Sequence, residues 1–349
     1  MILVYGGLFL LFIIQPNTKQ KLTSKKTFCI LSGIFLFLIA ASRDLAMGDL
    51  LGYKNSYIKM LPNTSYLQLW EDWRSDNLKD FGFYAVAKFF SDIGLSATFW
   101  LLLIAAFFAV MCALFLYKFS KQPYIGLVAV LSLFYSFTFT GIRQTVALAI
   151  VFLSLRFISE KKLIPFILSV LVASLFHSTA IIMLPAYFIA KLKIGLKQPI
   201  MVAVSFSISI FAPQIFRNLI TFFSWDDAYS GYAEREETLS WAGFIIQLAI
   251  WLFCLYLRRS IKEDKRYMYT FIDSLINCLT IGLCFQCFAT VVAEAFRLSY
   301  YYSICLIAVV PNVIDKQTYI RKDWLQLIIS CVFIVYMLRA GMYFNIGWF

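Results

Sequence analysis

The chain has 349 residues, of which 61% are hydrophobic, 18% are aromatic and only 14% are charged. This composition excludes a soluble domain of similar length and predicts an integral membrane protein, because a membrane helix needs about 20 mostly apolar residues. The formal net charge is +12 at pH 7, but the basic residues are spread over the connections between apolar segments. We therefore expect no nucleic-acid binding, which requires basic side chains gathered in a patch or stripe.

Twelve apolar segments, several of them shorter than a full span, are expected to form transmembrane helices. They cover about 1–14, 27–42, 97–117, 124–140, 142–158, 163–176, 178–190, 199–216, 241–257, 268–293, 298–312 and 324–341. Their order predicts an all-α polytopic membrane protein with about 12 transmembrane helices, in which residues 1–349 form a single integral membrane domain. The first segment lacks a basic start and a cleavage site, so we expect it to remain as a helix.

Two longer connections, about 43–96 and 217–240, separate these segments. The first mixes apolar and charged residues, which predicts amphipathic helices lying along the outer membrane surface. The eight cysteines all fall in apolar segments, which is typical of buried free thiols. Cys284 and Cys287 have CxxC spacing, but no histidine or second such pair lies nearby, so neither a metal nor another cofactor is predicted.

The charged residues divide unequally between alternate connections. One set, which includes 118–121, 156–162 and 258–266, carries most of the 31 basic residues, and the other set carries most of the 19 acidic residues. Short basic connections of membrane proteins stay in the cytoplasm. This rule places the first set inside the cell, and it places both chain termini and the two long loops outside.

The same alternation gathers charged side chains and the one histidine of the chain at the outer ends of the segments. They are Arg43, Asp44, Asp49, Arg143, His177, Glu294 and Arg297. Arginines that face one cavity repel each other unless an anion lies between them, and their planar forks suit phosphate oxygens. An anionic lipid phosphate is therefore the expected substrate. In the alternative interpretation, Arg143 only extends to the interface, His177 caps a helix, and the other charges form structural ion pairs between helix ends.

Three stretches of the sequence resemble the EpsG-like branch of the Wzy-type polysaccharide polymerases. The first is SRDLAMGDLLGY, with Arg43, Asp49 and Tyr53. The second joins GIRQTVALAI to LFHSTAIIMLP, and the third is FRLSYYYSICLIAVVP. The segment DFGFYAVAKFF at 80–90 is also similar, but the family tends to show an acid-Pro-Gly run where this chain has Asp80-Phe81-Gly82.

The resemblance implies an enzyme that joins oligosaccharide units carried on undecaprenyl diphosphate. The growing glycan would leave its lipid diphosphate and be transferred, without a metal, to a hydroxyl at the non-reducing end of another lipid-linked unit. The expected location is the bacterial inner membrane, with the active site on the periplasmic side. Donor and acceptor are then both lipid-linked glycans, and a chain-length regulator is a candidate partner.

Such a reaction develops negative charge on the diphosphate and removes an alcohol proton, so it needs cations and a base. The candidate catalytic residues are His177, Asp49 and Glu294; the candidate diphosphate ligands are Arg143, Arg297 and Arg43; the candidate sugar-binding residues are Tyr53, Gln144, Tyr300 and Tyr301. Trp70, Trp73 and Trp225 are further aromatic side chains, suited either to sugar rings or to the membrane interface.

Three other functions are weighed against the polymerase. A ligase would use the same donor but a different acceptor. A flippase or transporter would place ionisable residues along a path near the bilayer midplane. A membrane scaffold would need no convergent set of arginine, histidine and acid.

Overall fold

The computed structural model of the protein describes residues 2–16, 24–44, 49–223, 241–261, 271–292 and 295–339. Every regular element in these residues is helical, which confirms the predicted all-α class. The first nine α-helices are Ile2–Ile14 (α1), Lys25–Ala41 (α2), Asp49–Asn55 (α3), Tyr66–Arg74 (α4), Phe81–Asp92 (α5), Ala97–Phe119 (α6), Pro123–Leu133 (α7), Ile142–Ser159 (α8) and Leu163–Phe176 (α9). The others are Ala186–Ile189 (α10), Lys197–Phe211 (α11), Pro213–Phe223 (α12), Ala242–Arg258 (α13), Phe271–Cys287 (α14), Ala295–Ser303 (α15), Leu306–Lys316 (α16) and Lys322–Arg339 (α17).

Within the described ranges, four helical segments are long and apolar enough to cross a membrane by themselves. They are Ala97–Phe119, Ile142–Ser159, Phe271–Thr290 and Ala295–Lys316, with mean hydropathies of 2.8, 1.5, 1.6 and 1.3. Six further apolar helices among the described residues are 10–17 residues long. The chain is therefore a multi-pass membrane protein, but the predicted number of twelve spans is not confirmed.

Several predicted spans are interrupted where the local sequence opposes a continuous α-helix. The segment predicted at 124–140 ends as an α-helix at Leu133 and continues as a 3₁₀ turn at Phe137–Phe139. The segment predicted at 199–216 breaks at Ala212, because proline at 213 lacks an N–H and disfavours helical backbone in the residue before it. The predicted loop at 217–240 begins inside α12, and residues 224–240 lie outside the described ranges.

The core is one large cluster of buried apolar side chains that extends from Val4 in α1 to Met337 in α17. Helix α7 lies at its centre, since each residue from Pro123 to Ser132 is buried. A helix that is apolar on all sides belongs in such an interior position. The eight cysteines are free thiols, and all but Cys284 and Cys331 are buried.

Residues 49–92, here called the loop layer, cover one end of this bundle. They fold into α3, α4, α5 and two short helical turns, Ser56–Met60 and Leu61–Asn63. Their inward side chains form a second apolar cluster with residues of α6 and α8; its buried members include Leu50, Tyr57, Leu61, Leu69, Phe83, Trp100 and Ile142. The helices expected in this loop are therefore present, while their position on the membrane surface stays a prediction.

A glycine fixes the distance between the loop layer and the bundle. A Cβ atom on Gly82, near the start of α5, would lie 2.8 Å from the Cβ of Leu175 in α9 and 2.9 Å from its carbonyl oxygen. A backbone carbonyl does not move aside cheaply, so only glycine permits this approach. The first turn of α5 is consequently held directly against the last turn of α9.

Candidate active site

The geometry of the candidate site starts from Asp80, the last residue before α5. Its backbone has φ 58° and ψ 54°, a left-handed conformation that aspartate adopts more readily than most other residues. Only 2% of its side chain is exposed. The bend at Asp80, together with the close packing of Gly82, turns the carboxylate away from solvent and toward α8 and α9.

The Asp80 carboxylate is shared by three donors from two other parts of the chain. Its Oδ2 atom lies 2.8 Å from Nη1 of Arg143 and 3.2 Å from Nδ1 of His177. Its Oδ1 atom accepts a hydrogen bond of 2.9 Å from the backbone N–H of Ser178. Burial alone would raise the pKa of the Asp80 carboxyl, but His177, Arg143 and the Ser178 N–H together hold this pKa below its usual range. The group is therefore an anion at neutral pH.

His177 lies at the break between α9 and the 3₁₀ turn Ser178–Met183, with an extended backbone at φ −158°. Its backbone N–H donates to the carbonyl of Ala173, and its own carbonyl accepts from the N–H of Ala180. The imidazole makes no capping hydrogen bond to the turn that follows, so the alternative of a helix-capping role is not supported. The ring is directed to Asp80 through Nδ1, which leaves Nε2 as the second functional atom.

Arg143 is in the first turn of α8 and is held by two partners from the loop layer. One partner is Asp80, which pairs with Nη1. The other is Tyr53: the Nε atom of Arg143 donates a 3.0 Å hydrogen bond to its hydroxyl, and the guanidinium lies 5.6 Å from the centre of its ring. Burial raises the pKa of the Tyr53 and Tyr84 phenols next to it, so both remain protonated donors or acceptors. About a quarter of the Arg143 side chain, 25%, stays exposed. The arginine is therefore positioned by its neighbours and still reachable.

Gln144 connects this cluster to α15. Its Nε2 atom donates a 2.6 Å hydrogen bond to the backbone carbonyl of Arg297, while its Oε1 atom is buried without a partner. The Nε atom of Arg297 is likewise buried with no hydrogen-bond partner in the described part of the chain. Buried polar atoms are satisfied in most proteins. Within the described residues, Gln144 and Arg297 therefore provide a buried acceptor and a buried donor of the kind that a polar ligand pairs with.

Among the described residues, the neighbours of the Arg297 guanidinium are aromatic rings. The guanidinium lies 5.8 Å from the ring centre of Phe137 and 5.9 Å from that of Phe296. Tyr300 packs edge-on against Phe137 and Phe296. Tyr301 is fully buried, and its hydroxyl accepts from Thr179 at 3.4 Å. The predicted sugar-binding tyrosines Tyr53, Tyr300 and Tyr301 therefore all support other side chains in this structure.

The remaining predicted site residues are not part of the Asp80 cluster. Arg43 is 5% exposed, and its Nη2 atom donates to the carbonyl of Leu101 at 3.3 Å. Asp49 is exposed at the start of α3, and the structure describes no ion pair between it and Arg43. Glu294 lies outside the described residues.

Asp80 is the candidate site residue to which the sequence pattern assigned no role. The departure from the acid-Pro-Gly pattern removed the reason to assign it a role, although the acid itself and the glycine two residues later are both present. Within the described ranges, no three histidine, cysteine or acidic side chains are grouped closely enough to hold a metal ion. What the cluster contains is a carboxylate, an imidazole and a guanidinium in mutual contact.

The fold and site define a class: a helical multi-pass membrane protein with a buried Asp–His–Arg cluster at one end of its bundle. A family model described as the EpsG family matches residues 26–347, which is nearly the whole chain. The chain belongs to the EpsG family, and this membership indicates a role like that of a polysaccharide polymerase. No curated protein and no solved structure matches the chain.

Proposed function

We propose that the protein is a membrane glycosyltransferase that polymerises polysaccharide from lipid-linked repeat units. The glycan carried on undecaprenyl diphosphate is transferred to a hydroxyl at the non-reducing end of a second lipid-linked unit, on the periplasmic side of the inner membrane. The observation that carries this proposal is the Asp80 carboxylate shared between His177 and Arg143. Asp80 holds a base, His177, and a cation, Arg143, in fixed positions in a member of the EpsG family.

In this proposal His177 is the general base. Because Nδ1 faces the Asp80 carboxylate, the neutral ring keeps its hydrogen on Nδ1, and Nε2 is free to accept a proton. When Nε2 takes the proton of the acceptor hydroxyl, the Asp80 carboxylate stabilises the imidazolium that forms. Asp49 and Glu294 are the rival bases.

The arginines act on the leaving group. The donor sugar C1–O bond to the diphosphate breaks and leaves its electron pair on the diphosphate, while the acceptor oxygen bonds to C1 and its proton moves to His177. The buried Nε–H of Arg297 has no partner among the described residues, so Arg297 is the first candidate to bind a diphosphate oxygen. Arg143 adds positive charge from a fixed position, and the unpaired Gln144 Oε1 suits a sugar hydroxyl. Arg43 makes its contacts with Leu101 and is the weakest of the three diphosphate candidates.

A flippase is the second candidate, and the distribution of charges disfavours it. Among the described residues, the Asp80 cluster lies where α8 and α9 meet the loop layer, and the Arg258–Asp273 ion pair, with Nε and Oδ1 2.6 Å apart, joins the end of α13 to the start of α14. Gln247, Gln286 and Ser303, one from each of α13, α14 and α15, are buried and uncharged, and Gln247 hydrogen-bonds to both of the others. A ligase shares the donor chemistry, so it must be separated from a polymerase by its acceptor.

The test uses purified protein in liposomes supplied with lipid-linked repeat units extracted from a strain that lacks it. We expect a ladder of joined units from the wild type and none from His177→Gln or His177→Ala in protein that still folds. Near-normal ladders from His177→Gln, with failure of His177→Ala, would instead make His177 a ligand and Asp49 or Glu294 the base. Units that cross the bilayer without being joined would indicate a flippase, and joining only to an added core lipid would indicate a ligase.

A further inference from the structure

An exposed aromatic cluster lies next to the candidate active site. The ring centres of Trp70 and Trp73, one turn apart on α4, are 5.0 Å from each other. Phe81 of α5 closes the cluster, with its ring centre 5.4 Å from that of Trp70 and 5.9 Å from that of Trp73. We call these three side chains the aromatic platform. The two tryptophans remain 42% and 36% exposed, although aromatic rings that pack together are usually buried.

The helix that carries the platform has two different faces. Leu69 is fully buried and anchors α4 in the loop layer. Glu71 and Asp72 lie between the two tryptophans in sequence; Gln68 and Glu71 are exposed, as are the apolar side chains of Tyr66 and Leu67. Acidic side chains are poorly accommodated by the hydrocarbon region of a membrane. A pair of flat rings beside an exposed carboxylate instead suits sugars, whose C–H faces pack on aromatic rings and whose hydroxyls donate to carboxylates.

The platform is continuous with the Asp80 cluster through the chain itself. Phe81 directly follows Asp80, whose carboxylate contacts His177 and Arg143. The centre of the Trp70 ring, 5.4 Å from that of Phe81, therefore lies within roughly 15 Å of the Asp80 α-carbon, given about 3.8 Å between neighbouring α-carbons. This distance is comparable to the length of a few linked sugar rings, so one glycan can contact both the platform and the reacting groups.

We propose that the aromatic platform binds pyranose rings of the acceptor glycan and so presents its terminal hydroxyl to His177. This inference rests on the proposed function, because it assigns the acceptor side of the same site. The occupant is a neutral or hydroxyl-rich glycan, with Trp70 and Trp73 stacking on ring faces and Glu71 accepting hydroxyl hydrogens. In the competing interpretation, the platform contacts lipid at the interface of the outer leaflet. The experiment separates glycan binding from lipid contact.

The experiment compares Trp70→Ala and Trp73→Ala with Trp70→Phe and Trp73→Phe. Trp324→Ala is the matched control, since Trp324 is 56% exposed at the start of α17, away from the loop layer. Joining of lipid-linked units in liposomes is measured against acceptor concentration. We expect the alanine variants to raise the acceptor KM about five- to tenfold with little change in kcat. The phenylalanine variants should restore most of the affinity, and Trp324→Ala should behave as wild type.

A second measurement separates this inference from the proposed function. The repeat-unit oligosaccharide, released from the carrier by mild acid, is titrated into each purified variant. If the wild type binds the oligosaccharide and the alanine variants do not, the platform is supported as a glycan-binding site, even if the wild type joins no units. An unchanged KM together with unchanged oligosaccharide binding overturns it. Stronger quenching of the platform tryptophans by brominated lipid acyl chains than by aqueous acrylamide also overturns it, and assigns the cluster to the membrane interface.

Discussion

The Oδ2 atom of Asp80 lies 3.2 Å from Nδ1 of His177, although 97 residues separate the two in sequence. The acid comes from the loop layer, and the imidazole comes from a break in the helical bundle. Neither element alone provides a general base, because the imidazole needs a fixed tautomer and the carboxylate needs positively charged neighbours to stay ionised when buried. The predictions below follow from this relationship.

Removing the charge of Asp80 should abolish activity without unfolding the protein. In Asp80→Asn the side chain keeps its size, but it no longer stabilises an imidazolium at His177 or the charge of Arg143. We expect joining of lipid-linked units to fall roughly 100-fold or more. Asp92→Asn is the matched control, since Asp92 also pairs with a cation, Lys88, at the other end of α5. Equal activity of the two variants would remove Asp80 from the mechanism.

The geometry of the two arginines should matter as well as their charge. Arg143 uses Nη1 and Nε on different partners, and Arg297 offers a buried Nε. Lysine has a single point charge and no planar fork. We expect Arg143→Lys and Arg297→Lys each to retain only a few per cent of the activity, about the loss of one transition-state hydrogen bond to a charged group. Arg156→Lys is the control, since Arg156 is at the opposite end of α8 and 46% exposed, and this variant should remain fully active. Full activity of Arg297→Lys would argue against diphosphate binding by Arg297.

Stability should depend on pH through Asp80. The folded protein lowers the pKa of this carboxyl, so the ionised group stabilises the fold above the unfolded carboxyl pKa of about 3.9. That contribution is lost as the pH falls through the lower, folded pKa. The thermal midpoint of purified wild type should therefore exceed that of Asp80→Asn near pH 7, and the difference should shrink below about pH 4. A difference that grows on acidification would mean that the ion pair with Arg143 does not form.

Labelling of single cysteines tests the predicted orientation. In a background without the eight native cysteines, Gln68→Cys in the exposed face of α4 should react with a membrane-impermeant maleimide. The maleimide is added to cells whose outer envelope is permeabilised and whose inner membrane is intact. Lys162→Cys, in the basic turn between α8 and α9, should react only after the inner membrane is opened. The reverse pattern would place the Asp80 cluster in the cytoplasm and contradict a periplasmic reaction.

The sequence predicted the all-α class and the two apolar segments that form α8 and α9, because long apolar runs and basic connections are visible without any tertiary information. It also selected Arg143 and His177, whose charge or titratable ring is unusual in an apolar segment. It did not predict the role of Asp80, since one acid in a charged loop has nothing local to distinguish it. The partner of a buried charge is set by packing across the chain, here by the contact of Gly82 with Leu175.

Local rules also failed where helices break. The 3₁₀ turn Ser178–Met183 and the end of α7 at Leu133 lie in mostly apolar, uncharged runs of sequence. Hydrophobicity alone does not report whether such a run stays α-helical. These breaks nevertheless shape the site, because the turn after His177 supplies the Ser178 N–H to Asp80 and brings Thr179 to Tyr301.

The close approach of Gly82 to Leu175 has a consequence for how the protein matures. Asp80 is synthesised before Arg143 and His177, so its carboxylate lacks these two partners until α8 and α9 have been inserted. Burying it earlier would leave an uncompensated charge, which costs several kcal/mol. We therefore expect the loop layer to dock against the bundle only after α8 and α9 are in place. The ionic cluster would then be completed late in biogenesis, after membrane insertion has reached α9.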